Sequence, residues 1–309
     1  MISEQAYWFG PSEGLLGVIS VPPPGVTARG LGVGLMNAGN LHRVGGARLN
    51  VRLARNLAAL GFPSIRFDLS GLGDSEPRPD PRPYLESMAT DVEHALHCLS
   101  SQTGVKRFAL IGHCSGAAVA YVASLSNAHV VSLVQIEGLA YPTRRYQYFR
   151  WRRILMNSSN WRELLTGKKN LQAVLGNQIA SLLARPNAAT VQPPAESLDT
   201  IRQNIRNLVD LRPSREQMQA GLSQLVSRRV RMLNIFAGGD HHYYSYREQF
   251  ADAFPGLDFR GLLELEHVTD ANHYFSAQRH QAWLDQRIAT TIQRVADDLA
   301  AATGQPALQ

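Results

Sequence analysis

The segment Phe108-Ala109-Leu110-Ile111-Gly112-His113-Cys114-Ser115-Gly116-Ala117-Ala118 constrains this chain more than any other. An apolar run enters a Gly-x-Cys-x-Gly turn and leaves as a run of small residues. That pattern predicts a buried strand, a sharp bend and a helix, with Cys114 at the crest. The backbone at such a crest is strained, so the positions on either side must be small to avoid neighbouring chain. The bend also sets the thiol at a helix N-terminus, whose partial positive charge favours a thiolate. The register selects the cysteine. Centring the motif on Ser115 would require glycine at positions 113 and 117, which hold His113 and Ala117. Cys98 lies among apolar helical positions with no motif around it and is expected to pack in the core.

Around this bend, strand and helix signals alternate. Strand patterns run over Leu15–Val21, Leu31–Met36, Pro63–Phe67, Arg107–Ile111 and Val130–Ile136. Helical patterns run over Ala47–Leu60, Leu85–Leu99 and Ala117–Leu125. Such alternation implies βαβ units and a parallel sheet. The rhythm breaks after about residue 138 and returns with a strand at Arg231–Phe236, a helix at Tyr246–Phe254, a strand near Phe259–Leu265 and a last helix from Ser276 to about Ala301. The expected architecture is an α/β fold with a mostly parallel sheet and helices on both faces. Residues 1–140 and 230–309 would form the catalytic domain, and residues 141–229 a helical lid inserted after the sixth strand.

A cysteine nucleophile needs an imidazole, and the imidazole needs an acid to orient it. In folds built on this bend the chain order is nucleophile, acid, histidine. Asp240 follows the strand ending at Ala237 and the pair Gly238-Gly239, which suits the acid; Glu137, after the preceding strand, is the alternative. His273, between the last strand and the last helix, leads as the base, with His267 second. His241 and His242 abut Asp240 and are read as lining or solvent-facing residues. His113 flanks the nucleophile, but its side chain is expected to diverge from it. The oxyanion hole should use the backbone N–H of Ser115 and a second donor from Asn37-Ala38-Gly39-Asn40-Leu41-His42-Arg43, with Asn40 favoured. The segment Asp68 to Ser75, with Gly71 and Gly73, is read as a structural loop.

At 309 residues, 44% of them hydrophobic and 18% charged, the chain can bury a large core and is not disordered. No stretch reaches the roughly 18–20 apolar residues of a membrane helix. The start lacks a basic segment followed by an apolar run, so no signal peptide is expected. Two cysteines exclude a disulfide framework and fit a reducing cytoplasm. The net charge is +6. Arginine and lysine crowd the stretch between Pro142 and Arg231, leaving the rest of the chain net acidic. That asymmetry points to an anionic partner or to a solvated helical face. No recognised nucleic-acid motif accompanies it, and no cofactor or metal is expected.

Together, Gly112-His113-Cys114-Ser115-Gly116, Arg66-Phe67-Asp68-Leu69-Ser70-Gly71-Leu72-Gly73-Asp74-Ser75 and Asp270-Ala271-Asn272-His273 resemble the α/β-hydrolase superfamily. The nearest branch is the serine-aminopeptidase-like group. The resemblance implies an eight-stranded sheet and a nucleophile–acid–histidine triad, which it places on Cys114, Asp240 and His273. Cysteine at the nucleophile and Asn-Ala-Gly-Asn in the oxyanion loop depart from the usual pattern. Dienelactone hydrolases and polyhydroxyalkanoate synthases, in the same superfamily, also carry a cysteine there. The expected activity is acyl transfer through an acyl-S-Cys intermediate, by a thioesterase or acyltransferase whose acyl group arrives on coenzyme A or an acyl carrier protein. A carboxylester or lactone hydrolase needs the same residues. A non-catalytic binding module on the same fold is the reading from another class.

Overall fold

The computed structural model describes residues 2–78, 84–156, 213–238 and 244–303. Eight strands form one sheet: β1 Ser3–Phe9, β2 Leu15–Val21, β3 Leu31–Met36, β4 Ser64–Phe67, β5 Arg107–His113, β6 Val130–Ile136, β7 Arg231–Ala237 and β8 Leu263–Val268. Their order is β1-β2-β4-β3-β5-β6-β7-β8. The pairs β1/β2 and β2/β4 are antiparallel, and every pair from β4/β3 onward is parallel. The central strands are near-continuous apolar runs because helices cover both of their faces. Every residue of β3 is buried, as is β5 apart from Arg107.

Two apolar layers flank the sheet. On one face, α1 (Leu49–Ala59) and α7 (Gln278–Thr303) bring Leu49, Leu53, Leu57, Leu284, Ile288 and Ile292 onto β3 and its neighbours. Arg52 joins the two helices by hydrogen bonds to both carboxylate oxygens of Asp285, each 3.2 Å long. The opposite face is covered by α2 (Tyr84–Thr103), α3 (Ser115–Ser126), α5 (Arg215–Ser227) and the short α6 (Gln249–Asp252). Cys98 sits in this second layer, where burial pushes its thiol pKa up. Among the described residues no helix is long and apolar enough to cross a membrane.

Strand β1 carries no apolar run to announce it. It is an edge strand, mostly exposed or half-buried, and is held by polar contacts as well as by its ladder. Glu4 accepts from Ser20 at 3.0 Å, Arg55 at 2.6 Å and Arg66 at 3.1 Å. Burial works against that carboxylate's charge, yet these donors hold its pKa down at about 2.

The chain divides into two compact units, Met1–Tyr141 with Asn207–Gln309, and Pro142–Arg206. The inserted unit thus follows β6, and its described part is α4 (Arg144–Met156), begun by the Thr143 hydroxyl accepting from Tyr146 N–H at 3.0 Å. Most of the insertion lies outside the described residues. Its expected far boundary is corrected: α5, anticipated in the lid, belongs to the main body. Its polar sequence hides an apolar stripe of Met218, Leu222, Leu225 and Val226, buried in the same layer as α3. A capping box between Ser214 and Gln217 starts this helix. Just beyond it, Arg228 donates to the carbonyls of Ser124 and Asn127, both at 2.6 Å, closing the C-terminal end of α3.

Candidate active site

The C-terminal ends of the parallel strands meet at Cys114, where β5 turns into α3. Cys114 has φ 55° and ψ −118°, so the bend expected from the sequence is present and strained. Its N–H donates to Ile136 O at 2.8 Å and its carbonyl accepts from Ala117 N–H at 3.0 Å, which fix the turn. The flanking glycines are required by contact. A Cβ on Gly112 would fall on the carbonyl of Gly116, and one on Gly116 would fall on the carbonyl of Asn37. The thiol itself is half-buried.

His273 lies in the loop between β8 and α7. Its Nδ1 is 3.0 Å from Oε2 of Glu137. The sulfur of Cys114 and the carboxylate of Glu137, in that order, favour its protonated ring as acceptors and raise its pKa from 6.5 to about 10 against the opposing effect of burial. The imidazole is therefore poised as an imidazolium between a sulfur and a carboxylate. Glu137 is itself fixed at the end of β6, with φ 52°. Its N–H donates to Ile235 O at 2.8 Å, and its other carboxylate oxygen accepts from the N–H of Ala237.

The carboxylate on the histidine is thus the alternative acid, one strand earlier than the expected Asp240. Asp240, His241 and His242 lie outside the described residues. The signal for Glu137 was its position directly after the buried run of β6, before Gly138. His267 lies within β8 with its ring against Tyr244, at 5.5 Å between centroids.

The ring of His113 packs against that of His273, with centroids 4.9 Å apart. Its Nε2 is 2.8 Å from the carbonyl oxygen of His273. A carbonyl only accepts, so the proton sits on Nε2. Burial, more than the neighbouring His273, lowers the pKa of His113 to about 4, and the ring stays neutral beside the imidazolium.

The loop after β3 packs on the bend. Gly39 N–H donates to Ser115 Oγ at 2.5 Å, and Asn40 lies exposed beside it. The fully buried Asp68 anchors this loop: it accepts from Arg43 Nη1 at 2.5 Å and from Asp74 N–H at 3.2 Å, and Arg43 reaches on to Asp74 at 2.6 Å. Asp68 thus ties the segment Asp68 to Ser75, read from the sequence as a structural loop, to the loop after β3. Among the described residues no group of His, Cys, Asp and Glu could hold a metal ion.

Residues 38–250 match the family model described as alpha/beta hydrolase fold. No curated protein matches the chain. Solved structures similar to it include a thermostable carboxyl esterase from Bacillus coagulans in complex with glycerol, with TM-score 0.60, 14% identity and coverage of 96% of this chain and 99% of that one. An esterase from Pyrococcus furiosus has TM-score 0.58 and 14% identity, with 96% and 91% covered. A proline iminopeptidase from Mycobacterium smegmatis has TM-score 0.51 and 15% identity, with 97% and 100% covered. These likenesses concern the fold. With the family model spanning well over half of the sequence, the chain belongs to the alpha/beta hydrolase fold family.

Proposed function

We propose that this chain is an acyl-transfer enzyme with Cys114 as nucleophile, His273 as base and acid, and Glu137 in the orienting role. One observation carries the reading: half-buried Cys114 sits near enough to the His273 imidazole to raise its pKa, and Nδ1 of that ring meets a carboxylate at 3.0 Å. The thiolate, its proton held by His273, attacks the acyl carbon. A C–S bond forms, and the carbonyl oxygen takes the charge beside the Ser115 N–H and a donor of the β3 loop, Asn40 being the candidate. Collapse expels the leaving thiol, which takes the proton from His273. Water, an amine or an alcohol then attacks the acyl-S-Cys114 carbonyl while His273 takes its proton, and the sulfur leaves.

Acyl thioesters suit this site because exchange of one thioester for another is nearly isoenergetic. The arginine-rich insertion supports an anionic carrier, coenzyme A or an acidic carrier protein. A carboxylester hydrolase is the second reading, favoured by the esterases among the structural neighbours. Intact-mass measurement of protein mixed with acyl thioesters tests the proposal. An acyl adduct lost in Cys114→Ala supports it. No adduct under trapping conditions, or an adduct that survives Cys114→Ala, overturns it. Preference for nitrophenyl esters over thioesters favours the second reading.

A further inference from the structure

The residue after Cys114 carries more than a backbone donor. Ser115 is the first residue of α3, and both it and Cys114 are half-buried. Its Oγ accepts the N–H of Gly39 at 2.5 Å. Gly39 has φ +55°, a left-handed conformation that turns the β3 loop over the bend, with open space where a Cβ would stand. An amide of the loop expected to furnish the second oxyanion donor is therefore spent on a hydroxyl. That hydroxyl is used as an acceptor, and no acceptor for its own proton is found among the described residues.

We propose that the Ser115 hydroxyl is an oxyanion donor in its own right, held and polarised from behind by Gly39 N–H. Ser115 then offers two donors, N–H and O–H, to the oxygen of a carbonyl attacked by the adjacent sulfur. A hydroxyl that already accepts a hydrogen bond donates a stronger one. Its contribution grows as charge develops on the oxygen, which is where such donors accelerate a reaction. No bond to the hydroxyl breaks; the proton stays on Oγ throughout. The proposal rests on acyl transfer at Cys114 and adds a donor to the hole.

The test separates acylation from alkylation. Acylation of Cys114 by a thioester builds negative charge on oxygen, whereas alkylation by iodoacetamide displaces iodide and builds none. Single-turnover acylation by the wild type is measured first; its absence would defeat the acyl-transfer reading and not this one. Given acylation, Ser115→Ala should slow it about 100-fold, the usual cost of an oxyanion donor, while alkylation across pH stays as in the wild type. Ser115→Thr should retain most of the rate, and Ser115→Val, of the same shape as Thr, should match Ala. Acylation by Ser115→Ala at the wild-type rate or faster would overturn the proposal and make the side chain a plug. Parallel loss of acylation and alkylation would also overturn it, placing the effect on the sulfur or the helix.

Discussion

Oε2 of Glu137 lies 3.0 Å from Nδ1 of His273, so the end of β6 brings a carboxylate onto the imidazole. Glu137→Gln keeps the size but can present an amide N–H to a ring nitrogen that needs an acceptor. Single-turnover acylation of Cys114 should fall about 10²–10⁴-fold, as when a triad acid loses its charge. Asp240→Asn should stay within a few-fold of wild type. A larger loss from Asp240→Asn than from Glu137→Gln would return the acid role to Asp240.

The charge state of His273 can be read directly. Imidazole ¹⁵N NMR should show its ring protonated through neutral pH and titrating near 10. In Cys114→Ser and in Glu137→Gln the titration should move down toward 6.5, because each substitution removes a group that favours the imidazolium. A wild-type ring titrating near 6.5 would refute the ion-paired arrangement. The linkage has a definite sign. A pKa raised on folding stabilises the protein fully below about 6.5, and that contribution fades as pH rises toward 10. The melting-temperature gap between wild type and His273→Asn should therefore be widest at pH 6 and nearly closed at pH 10.

Much of the fold was legible because buried parallel strands announce themselves as apolar runs: the sequence-based and observed limits of β3 coincide, and those of β5 differ only at its C-terminal end. The bend was legible because steric exclusion leaves glycine at 112 and 116. Strand β1 was missed because an edge strand exposes polar residues and lacks a run. Helix α5 was misplaced because its buried stripe is diluted by glutamine and serine on its outer face. Glu137 ranked second because the sequence places an acid after each of two strands, and the sequence alone does not show that the loop between β8 and α7 brings His273 to Glu137.

The glycines of the bend should tolerate nothing larger. Gly112→Ala puts a methyl on the Gly116 carbonyl and Gly116→Ala puts one on the Asn37 carbonyl, both rigid backbone. Each should cost about 3 kcal/mol or more, in the range of severe overpacking, and urea unfolding measures it. Loss below 1 kcal/mol would mean that the bend relaxes.

Arg228 should matter for stability and not for chemistry. Its guanidinium bonds the carbonyls of Ser124, Asn127 and Val130, at 2.6, 2.6 and 3.1 Å, where α3 would otherwise end with unmet acceptors. Arg228→Ala should lower stability by about 1–3 kcal/mol, given charged donors in a partly buried site. Arg228→Lys, with a point charge in place of a fork, should recover only part of that. Acylation of the folded variants should be unchanged. An Arg228→Ala protein as stable as wild type would show that water caps α3 equally well.

His113 should act as a positioning residue. Its Nε2–H holds the carbonyl of His273 at 2.8 Å, and its neutral ring lies against the imidazolium without adding repulsion. His113→Phe fills the space but drops the donor; His113→Gln can keep an N–H near the same place. The Phe variant should fold, with kcat reduced about 10–100-fold and KM little changed, since a small misplacement of a catalytic ring costs that much. A purely structural role would lower Tm and leave the titration of His273 where it was. The positioning role moves that titration down in His113→Phe, as the loop releases the ring from Cys114 and Glu137, and His113→Gln restores it.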